Sequence, residues 1–334
     1  MPRDPGSAGK SVEPKVSICL TTYNRAATLP KTVDSLLTQT FTDFELIISD
    51  DCSTDGTQAI CHEYEKADGR VRYCRNQTNL KMPGNLNAAI GRARAEYIAN
   101  VHDGDLYRPD LIEEWKRALD RVPTASFVFN AYHLIGRRGE RTLHRQPFEL
   151  RVEGKQIALH HFRTFTSCVW GTVMARRSAY ERAGPFNARY GFISDVDMWL
   201  RLARDSDVAY VSEPLIVLTP REPTHPYSFV HWRLTFWELA IYVAHLELYK
   251  DAMPVEVAEF RGAYPSRRRF LLLKDMAICI RHKRWDRAAE GLAIWRDSDD
   301  KLLAGVGRAL GNPANLPDWY SAGYWDGTRP LERP

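Results

Sequence analysis

The sequence has no long apolar run, no cysteine framework and little net charge. No stretch reaches the roughly 18 apolar residues that a membrane-spanning helix needs, because the best candidate, residues 236–249, is interrupted by Glu238, His245 and Glu247. The six cysteines of this 334-residue chain are scattered, without a CxxC pair. They indicate reduced thiols rather than a disulfide scaffold. A net charge of +4 is too small to indicate a nucleic-acid partner.

The common nucleotide-binding signatures are missing as well. "DPGSAGKS" (residues 4–11) resembles a phosphate loop, but Asp4 stands where the first glycine is required and no strand precedes it. "GVGRALG" (residues 305–311) has the wrong final spacing for a dinucleotide fingerprint, which disfavours a dehydrogenase. The N-terminus lacks the apolar segment of a signal peptide. We therefore expect residues 1–14 to be a disordered tail and the protein to be cytoplasmic.

From residue 15 onward the chain alternates short apolar runs with helical stretches. "KVSICLTTY", "FELIIS", "VRYCRN" and "EYIANVH" have the pattern of strands, and a helical pattern follows each of them. Such alternation predicts βαβ units, and therefore an α/β fold with a mostly parallel, Rossmann-like sheet flanked by helices.

The pattern changes twice further along the chain. After about residue 140 the alternation loosens, although a helix over residues 194–206 and a strand just beyond it are still predicted. From about residue 223 the pattern is helical and aromatic. We therefore predict one α/β domain over residues 15–222 and a mainly helical region over residues 223–334.

Polar clusters follow three of the predicted strands. "TTYNR" ends the first strand, "SDDCSTDGT" the second and "HDGD" the fourth. The carboxyl ends of parallel strands meet at one edge of a sheet, where ligands bind. Asp50 and Asp51 are adjacent on a strand, so only one of them can face a given ligand. Helix capping by Ser53, Thr54 or Asp55 is the alternative interpretation of that cluster.

The "HDGD" stretch places Asp103 and Asp105 on either side of Gly104. Two carboxylates at this spacing can share a hard divalent cation, which also bridges phosphates. Glycine lets the backbone bend and approach a ligand closely. A polar turn before the next helix explains the same residues equally well, so the stretch by itself leaves both interpretations open.

"SDVDMWLRLA" places Asp195 and Asp197 at the head of a predicted helix. Acidic residues are favoured there by the helix dipole, which is the simpler explanation. Asp195 and Trp199 are four residues apart and so lie on one face of the helix. A carboxylate beside an aromatic wall can have a raised pKa and serve as a general base.

Taken in order, these motifs resemble the family 2 glycosyltransferases of the GT-A fold, over roughly residues 15–222. The resemblance implies an inverting, non-processive transfer from a nucleotide-diphosphate sugar, with UDP as the expected carrier and dTDP and GDP left open. Its acceptor would be a glycan, a lipid-linked molecule or a small molecule. A Mn²⁺ or Mg²⁺ ion would assist.

The resemblance also implies roles for individual residues. The nucleotide-binding residues would be Thr21, Tyr23, Arg25, Asp50, Asp51, Asn87 and Asp103. Within this set Asp51 would hold the base. Asp103 and Asp105 would form the DxD pair on the ribose and the metal, and Asp195 would be the catalytic base. In "REPTHPYS", Arg221 would contact the diphosphate and His225 the metal.

Two departures from the family pattern bear on the activity. Ser194 stands where the family usually has a glutamate before the base, which favours, as an alternative, a catalytically weakened module that binds nucleotide sugars. "RHKRW" (residues 281–285) lacks the glutamine of the QxxRW motif of processive members, which favours transfer of a single sugar. A nucleotidyltransferase is disfavoured because "TTYNRAATLP" contains no glycine.

The C-terminal region is rich in aromatic and basic residues. Arg267, Arg268 and Arg269 precede "FLLLKDMAICI", and further basic residues follow it. A basic rim around an apolar helix can contact anionic lipid, whereas a solvated helix face is the simpler interpretation. Peripheral contact with the inner face of a membrane and homodimerisation are two partner hypotheses for this region.

Overall fold

The computed structural model of the protein describes residues 13–136, 138–164, 166–219 and 232–296. The chain divides into two compact units, Met1–Pro220 and Arg221–Pro334. The first unit contains the sheet, and the described part of the second is helical. The tail expected over residues 1–14 lies almost wholly outside the described residues.

The first unit is built on one ten-stranded sheet. Its strands are β1 (Val16–Thr22), β2 (Phe44–Asp50), β3 (Val71–Arg75), β4 (Tyr97–His102), β5 (Leu106–Tyr107), β6 (Ala125–Ile135), β7 (Arg141–His144), β8 (Arg151–Glu153), β9 (Val173–Arg176) and β10 (Asp207–Leu218). The spatial order is β3-β2-β1-β4-β9-β6-β10-β5, with β7 on β6 and β8 on β10.

Most of the sheet runs in one direction. Strands β1 to β4 pair in parallel, as do β6 and β10. Because β9 is antiparallel to both β4 and β6, the two parallel groups point the same way. The carboxyl ends of β1, β2 and β4 therefore meet at one edge, which confirms the predicted fold class and brings the polar clusters together.

Helices flank the sheet. In the first unit these are α1 (Leu29–Leu37), α2 (Thr57–Ala67), α3 (Lys81–Arg92), α4 (Leu111–Arg121), α5 (Gly154–Thr164), α6 (Arg177–Ala183) and α7 (Ser194–Arg204). A 3-10 helix, Ala188–Ile193, leads into α7. Acidic residues occupy the first turn of α4 and α7 and basic residues the last turn, which suits the helix dipole.

Two hydrophobic clusters cover the two faces of the sheet. In β1, Ile18 and Leu20 belong to one cluster with α1 and α4, whereas Cys19 belongs to the other with α3 and α7. This alternation is the two-residue period of a strand that is buried on both faces. Each fully buried Leu or Ile stabilises the fold by about 1.5–3 kcal/mol. The strand ends that carry the polar clusters are therefore held by a well-packed core.

The strands predicted before residue 140 are confirmed, and so is the strand after α7. The elements β7, β8, α5, β9 and α6 were not predicted, because this part of the chain shows no regular alternation. The four residues of β9 are inserted between β4 and β6. These pairings join β9 to segments 73–79 and 46–48 residues away along the chain, so no local sequence pattern predicts them.

The second unit contains α8 (Trp232–Tyr249), α9 (Pro254–Arg281) and α10 (Trp285–Arg296), which confirms the predicted helical C-terminal region. Among the described residues, no helix is long and apolar enough to cross a membrane.

Candidate active site

The loops after β1 and β2 are joined by hydrogen bonds. The backbone N–H of Asn24 donates to Ser53 Oγ at 2.9 Å, and the backbone N–H of Thr54 donates to the side-chain oxygen Oδ1 of Asn24 at 2.8 Å. Arg25 N–H donates to Thr57 Oγ1 at 3.0 Å. The Ser, Thr and Asp residues after β2 therefore tie two loops together, in addition to the turn that Asp55 makes with the Thr57 amide at the start of α2.

The two adjacent aspartates at the end of β2 point to different partners. Asp50 is fully buried, and its carboxylate accepts from the amide and hydroxyl of Ser53 and from the Tyr73 hydroxyl. Arg75 Nε lies 3.8 Å from it. Asp50 thus anchors the loop internally, as the alternation of a strand requires.

Asp51 holds the loop that leads into α3. Its Oδ1 accepts from Leu80 N–H at 2.7 Å and from Asn76 Nδ2 at 3.1 Å, and its Oδ2 accepts from Lys81 N–H at 2.9 Å. A carboxylate has about four acceptor positions. Three of them are used by these bonds, which leaves one on Oδ2 for a donor from a ligand.

Asp103 is connected to the end of β1. Its Oδ2 accepts a 2.8 Å hydrogen bond from the Thr22 hydroxyl, and Arg25 Nε lies 3.6 Å from the same oxygen. Thr22 is buried, whereas the Asp103 side chain keeps 16% of its surface exposed. The Thr22 hydroxyl therefore orients one oxygen of the carboxylate, while part of the side chain stays exposed to solvent.

The turn after β4 is held by threonines from other elements. Gly104 has φ +87°, a conformation that favours glycine. Its N–H donates to the Thr32 hydroxyl at 3.0 Å, and the Thr219 hydroxyl donates to its carbonyl. Asp105 Oδ1 accepts from Thr219 N–H at 3.3 Å. "HDGD" is thus a turn, and one that keeps both carboxylates at the sheet edge.

Asp195 lies in the first turn of α7, close to the end of β4. A Cβ atom built on Gly171 would lie 3.1 Å from Asp195 Oδ2 and 2.6 Å from His102 Cε1. Asn100 Nδ2 donates to the Gly171 carbonyl at 2.7 Å. Gly171 therefore sits between the strand that leads to Asp103 and the helix that carries Asp195, and brings the two motifs together.

The other predicted site residues have different positions. Thr21 is half-buried at the end of β1, and Tyr23 is exposed beyond it. The Asn87 amide is bound to both the carbonyl and the N–H of Phe186, so the structure places it against the segment before α7. Arg221 and His225 lie outside the described residues.

Several residues that shape the site were not singled out from the sequence. Thr22 was quoted within "TTYNR", and its type and position at a strand end were the available signal. Thr32, Gly171 and Thr219 carried no such signal, because they act on the site only through long-range packing and hydrogen bonds.

The carboxylates fit a divalent cation that is shared with a ligand. Among the described residues no group of three or more His, Cys, Asp or Glu side chains can hold a metal by itself. Mg²⁺-type ions are commonly bound by one or two carboxylates together with substrate phosphates. Asp103 and Asp105, held on one turn, supply that kind of donor set.

A nucleotide-binding type of sheet with carboxylates at its strand ends is the arrangement of a GT-A-type glycosyltransferase. The family model described as "Glycosyl transferase family 2" matches residues 17–184 of the chain. This chain belongs to glycosyltransferase family 2 and is a glycosyltransferase enzyme.

Known proteins agree with this assignment. The chain is 32% identical over 206 residues to the protein named "Putative glycosyltransferase EpsE" of Bacillus subtilis (strain 168), covering 59% of this chain and 69% of that one. It resembles S. aureus TarS 1–349 in complex with UDP-GlcNAc, with a TM-score of 0.62 and 19% identity over 84% of this chain and 81% of that one.

A second solved structure shares the fold at lower similarity. It is the mannosyltransferase PcManGT from Pyrobaculum calidifontis in complex with GDP-Man and Mn²⁺, with a TM-score of 0.53 and 18% identity over 93% of this chain and 84% of that one.

Proposed function

We propose that this enzyme transfers one sugar from a nucleotide-diphosphate sugar, preferably a UDP-sugar, to an acceptor hydroxyl with inversion at the anomeric carbon. The observation that carries the proposal is the position of Gly171, which lies against both Asp195 and the His102 ring next to Asp103. A donor diphosphate held at Asp103 would therefore have its anomeric carbon close to a carboxylate that can act as a base.

The donor nucleotide would lie across the ends of β1, β2 and β4. Asp51 would accept the imide N–H of the base with its remaining acceptor position on Oδ2. Thr21, Tyr23 and Arg25 would line the pocket, and Asp50 would support it through the loop it anchors. Asn87 would act on this pocket through α3, because its own amide is bound to Phe186.

Asp195 would be the general base. Its carboxylate takes the proton of the acceptor hydroxyl while that oxygen forms a bond to the anomeric carbon. The bond from that carbon to the diphosphate oxygen breaks, and the diphosphate leaves with the electron pair. One displacement from the opposite side inverts the configuration, and a single carboxylate base is sufficient.

Asp103 and Asp105 would hold Mn²⁺ or Mg²⁺ together with the diphosphate of the donor. The ion, when bound, supplies neutralisation of the charge that develops on the leaving diphosphate. The fold shared with a mannosyltransferase that binds GDP-Man and Mn²⁺ supports this proposal. Excess EDTA is expected to stop transfer and added Mn²⁺ to restore it, whereas full activity in EDTA would remove the metal from the proposal.

A thermal-shift screen of nucleotide sugars, followed by a donor-hydrolysis assay, tests the function directly. We expect a UDP-sugar with Mn²⁺ to raise the melting temperature and to be slowly hydrolysed. Binding without hydrolysis or transfer would favour the alternative, a weakened nucleotide-sugar-binding module, for which the buried Ser194 before the base is the best support.

We further propose that α9 contacts an anionic membrane surface from the cytoplasmic side. Phe270, Leu273 and Ile280 are each about half exposed and lie along one side of the helix, and Arg267 and Arg281 flank them. Apolar side chains with basic neighbours suit anionic lipid. The chain is expected to float with vesicles that contain phosphatidylglycerol and not with neutral vesicles. A doubled mass in light scattering, without flotation, would indicate a homodimer instead.

A further inference from the structure

We propose that Arg92 is a positioning residue for the base of the donor nucleotide, and that it acts on Asp51 through the side chain of Asn76. The inference rests on the proposed function, because it deepens donor recognition at that same site. It predicts a preference for bases that present a ring N–H, as uracil, thymine and guanine do, over cytosine. A carboxylate only accepts, and the corresponding ring nitrogen of cytosine has no hydrogen to donate.

A buried polar path joins Arg92, the last residue of α3, to Asp51, just after β2. Arg92 Nη2 donates to Asn76 Oδ1 at 3.0 Å, and Asn76 Nδ2 donates to Asp51 Oδ1 at 3.1 Å. Asn76 and Asp51 are both buried. The backbone N–H of Asn76 donates to the Asp50 carbonyl at 2.8 Å, which fixes where the side chain starts. Two consecutive hydrogen bonds therefore connect the guanidinium to the carboxylate that would receive the base.

A second branch starts at the same guanidinium. Arg92 Nη1 donates to Ser49 Oγ at 2.9 Å, and the Ser49 hydroxyl donates to Asn85 Oδ1 at 2.7 Å. Asn85 Oδ1 also accepts from Asn76 Nδ2 at 2.9 Å, while Asn85 Nδ2 donates to the Ser49 carbonyl at 2.9 Å. Both branches therefore meet at the amide group of Asn76.

All these side chains lie on one face of the sheet. Ile47, Ser49 and Asp51 follow one another at the two-residue period of a strand, so they point the same way. Ile47 belongs to the hydrophobic cluster that includes residues of α3. Asn85 and Arg92 are seven residues apart and so share one side of that helix. The hydrogen bonds thus follow directly from the packing of α3 on the end of β2.

Hydrogen-bond polarity explains how Arg92 orients Asn76. A guanidinium only donates, so the amide oxygen of Asn76 must face Arg92, and its NH2 group is left to face Asp51. For the same reason the Ser49 hydroxyl directs its single proton to Asn85, whose oxygen then accepts from the NH2 group of Asn76. Without the guanidinium, the Asn76 amide can turn its oxygen towards the Asp51 carboxylate. The two oxygens would repel each other, and Asp51 would lose its alignment with the base.

The remaining bonds of Asp51 do not pass through Arg92. They come from the backbone N–H groups of Leu80 and Lys81, which hold the carboxylate at the start of α3 whatever stands at position 92. Loss of the guanidinium should therefore weaken the choice of base. The diphosphate and its ion would be held at Asp103, beyond β4, so their binding should not change.

Isothermal titration calorimetry of the full chain with UDP, CDP and N3-methyl-UDP, each with Mn²⁺, tests the inference. Methylation of N3 removes the ring N–H that Asp51 would accept. We expect the wild type to bind UDP about tenfold or more tightly than the other two, because a hydrogen bond to a charged group has that strength. Arg92→Met should reduce this preference to about threefold or less by weakening UDP binding, and Arg92→Lys should retain part of it.

Arg176→Met is the matched control for stability. Arg176 is also half-buried, and its guanidinium donates to the carbonyls of Leu119 and Ala125 and to the Tyr97 hydroxyl. It lies opposite the start of β4, at the other end of that strand from the polar clusters. Arg176→Met should lower the melting temperature, as Arg92→Met does, and yet keep the wild-type ratio of UDP to CDP affinity. A merely structural role of Arg92 would leave that ratio unchanged in both variants.

Asn76→Asp tests the same path with Arg92 in place, and so serves even if Arg92→Met does not fold. It keeps an oxygen for the guanidinium and removes the N–H that Asp51 accepts, so the preference for UDP should fall as well. The inference is overturned if the wild type binds CDP or N3-methyl-UDP as tightly as UDP, or if a folded Arg92→Met or Asn76→Asp keeps the wild-type preference. Failure of the proposed function would look different, since the wild type would then neither bind nor hydrolyse any nucleotide sugar.

Discussion

The hydroxyl of Thr22, the last residue of β1, donates a 2.8 Å hydrogen bond to Asp103 Oδ2 beyond the end of β4. These two strands are neighbours in the sheet but about 80 residues apart in the chain. The bond orients one oxygen of the carboxylate that we assign to the donor and its cation.

Replacing Thr22 by valine keeps the shape of the side chain and removes this hydrogen bond. A hydrogen bond to a charged group contributes about 1.5–3 kcal/mol. Part of this energy holds the Asp103 carboxylate in the orientation in which it would bind the ion. We expect the apparent affinity for Mn²⁺ in the transfer assay to fall by roughly tenfold. Thr42→Val, at an exposed threonine before the start of β2, should leave it unchanged. Equal Mn²⁺ dependence in both variants would contradict the role of Thr22.

Asp195→Asn removes the proposed base without changing its size. General-base catalysis contributes typically 10²–10⁴-fold, so we expect the transfer rate to fall by about that factor while the thermal shift with UDP persists. Asp205→Asn, at an exposed aspartate just after α7, is the control. Normal turnover by the Asp195 variant would show that the base lies elsewhere.

Gly171→Ala tests the contact that brings the base to the strand end. The new Cβ would lie within 3.1 Å of both the His102 ring and the Asp195 carboxylate, so one of them must move. We expect the turnover number to fall by at least about tenfold, with donor affinity nearly unchanged. Gly91→Ala on α3 has open space around its Cβ and should keep wild-type turnover. A wild-type turnover number for Gly171→Ala would show that the position of Asp195 does not matter for the reaction.

Glu45 is expected to make stability depend on pH in the acidic range. Burial alone would raise its pKa, but hydrogen bonds from Ser17, Arg72 and Arg94 outweigh burial and hold the pKa below its usual value. A depressed carboxyl pKa stabilises the fold above the unfolded pKa of about 4.5, and this stability is lost as the pH falls through the folded pKa.

Chemical denaturation of Glu45→Gln measures this contribution. At pH 7 we expect the free energy of unfolding to fall by roughly 2 kcal/mol, because hydrogen bonds to a charged group contribute about 1.5–3 kcal/mol and the partly exposed Arg72 and Arg94 are also solvated by water. The variant should also lose less stability than the wild type between pH 5 and about pH 3. Glu63→Gln, at an exposed ion pair with Lys66, should behave like the wild type. Parallel pH curves for Glu45→Gln and the wild type would contradict the assignment.

Much of the arrangement of β1 to β4 could be predicted from sequence. Strands β1, β2 and β4 are apolar runs that end in Thr, Asp or His, and parallel strands necessarily collect those ends at one edge. The sequence also indicated that Asp50 and Asp51 diverge, because the period of a strand is two residues. It did not indicate which of the two carboxylates would bind groups of the protein itself. The structure shows that Asp50 does, because it lies beside Ser53, Tyr73 and Arg75.

The part of the first unit that follows β6 was much less predictable. Strand β9 has only four residues and pairs with segments far away in the chain, and Gly171 lies just before it in a stretch without periodicity. Gly171 has no side chain by which its role could be recognised. Its significance appears only when the ring of His102 and the carboxylate of Asp195 are found around it.

Local sequence patterns specify the chemical groups of the site: aspartates at the ends of buried strands, a further aspartate at the head of a helix, and a fold that must gather the strand ends. How these groups are combined follows from long-range packing, which joins Thr22 to Asp103 and sets Asp195 against Gly171. This division arises because burial and strand period are local properties of the chain. Convergence on one site depends instead on pairings between segments that are tens of residues apart.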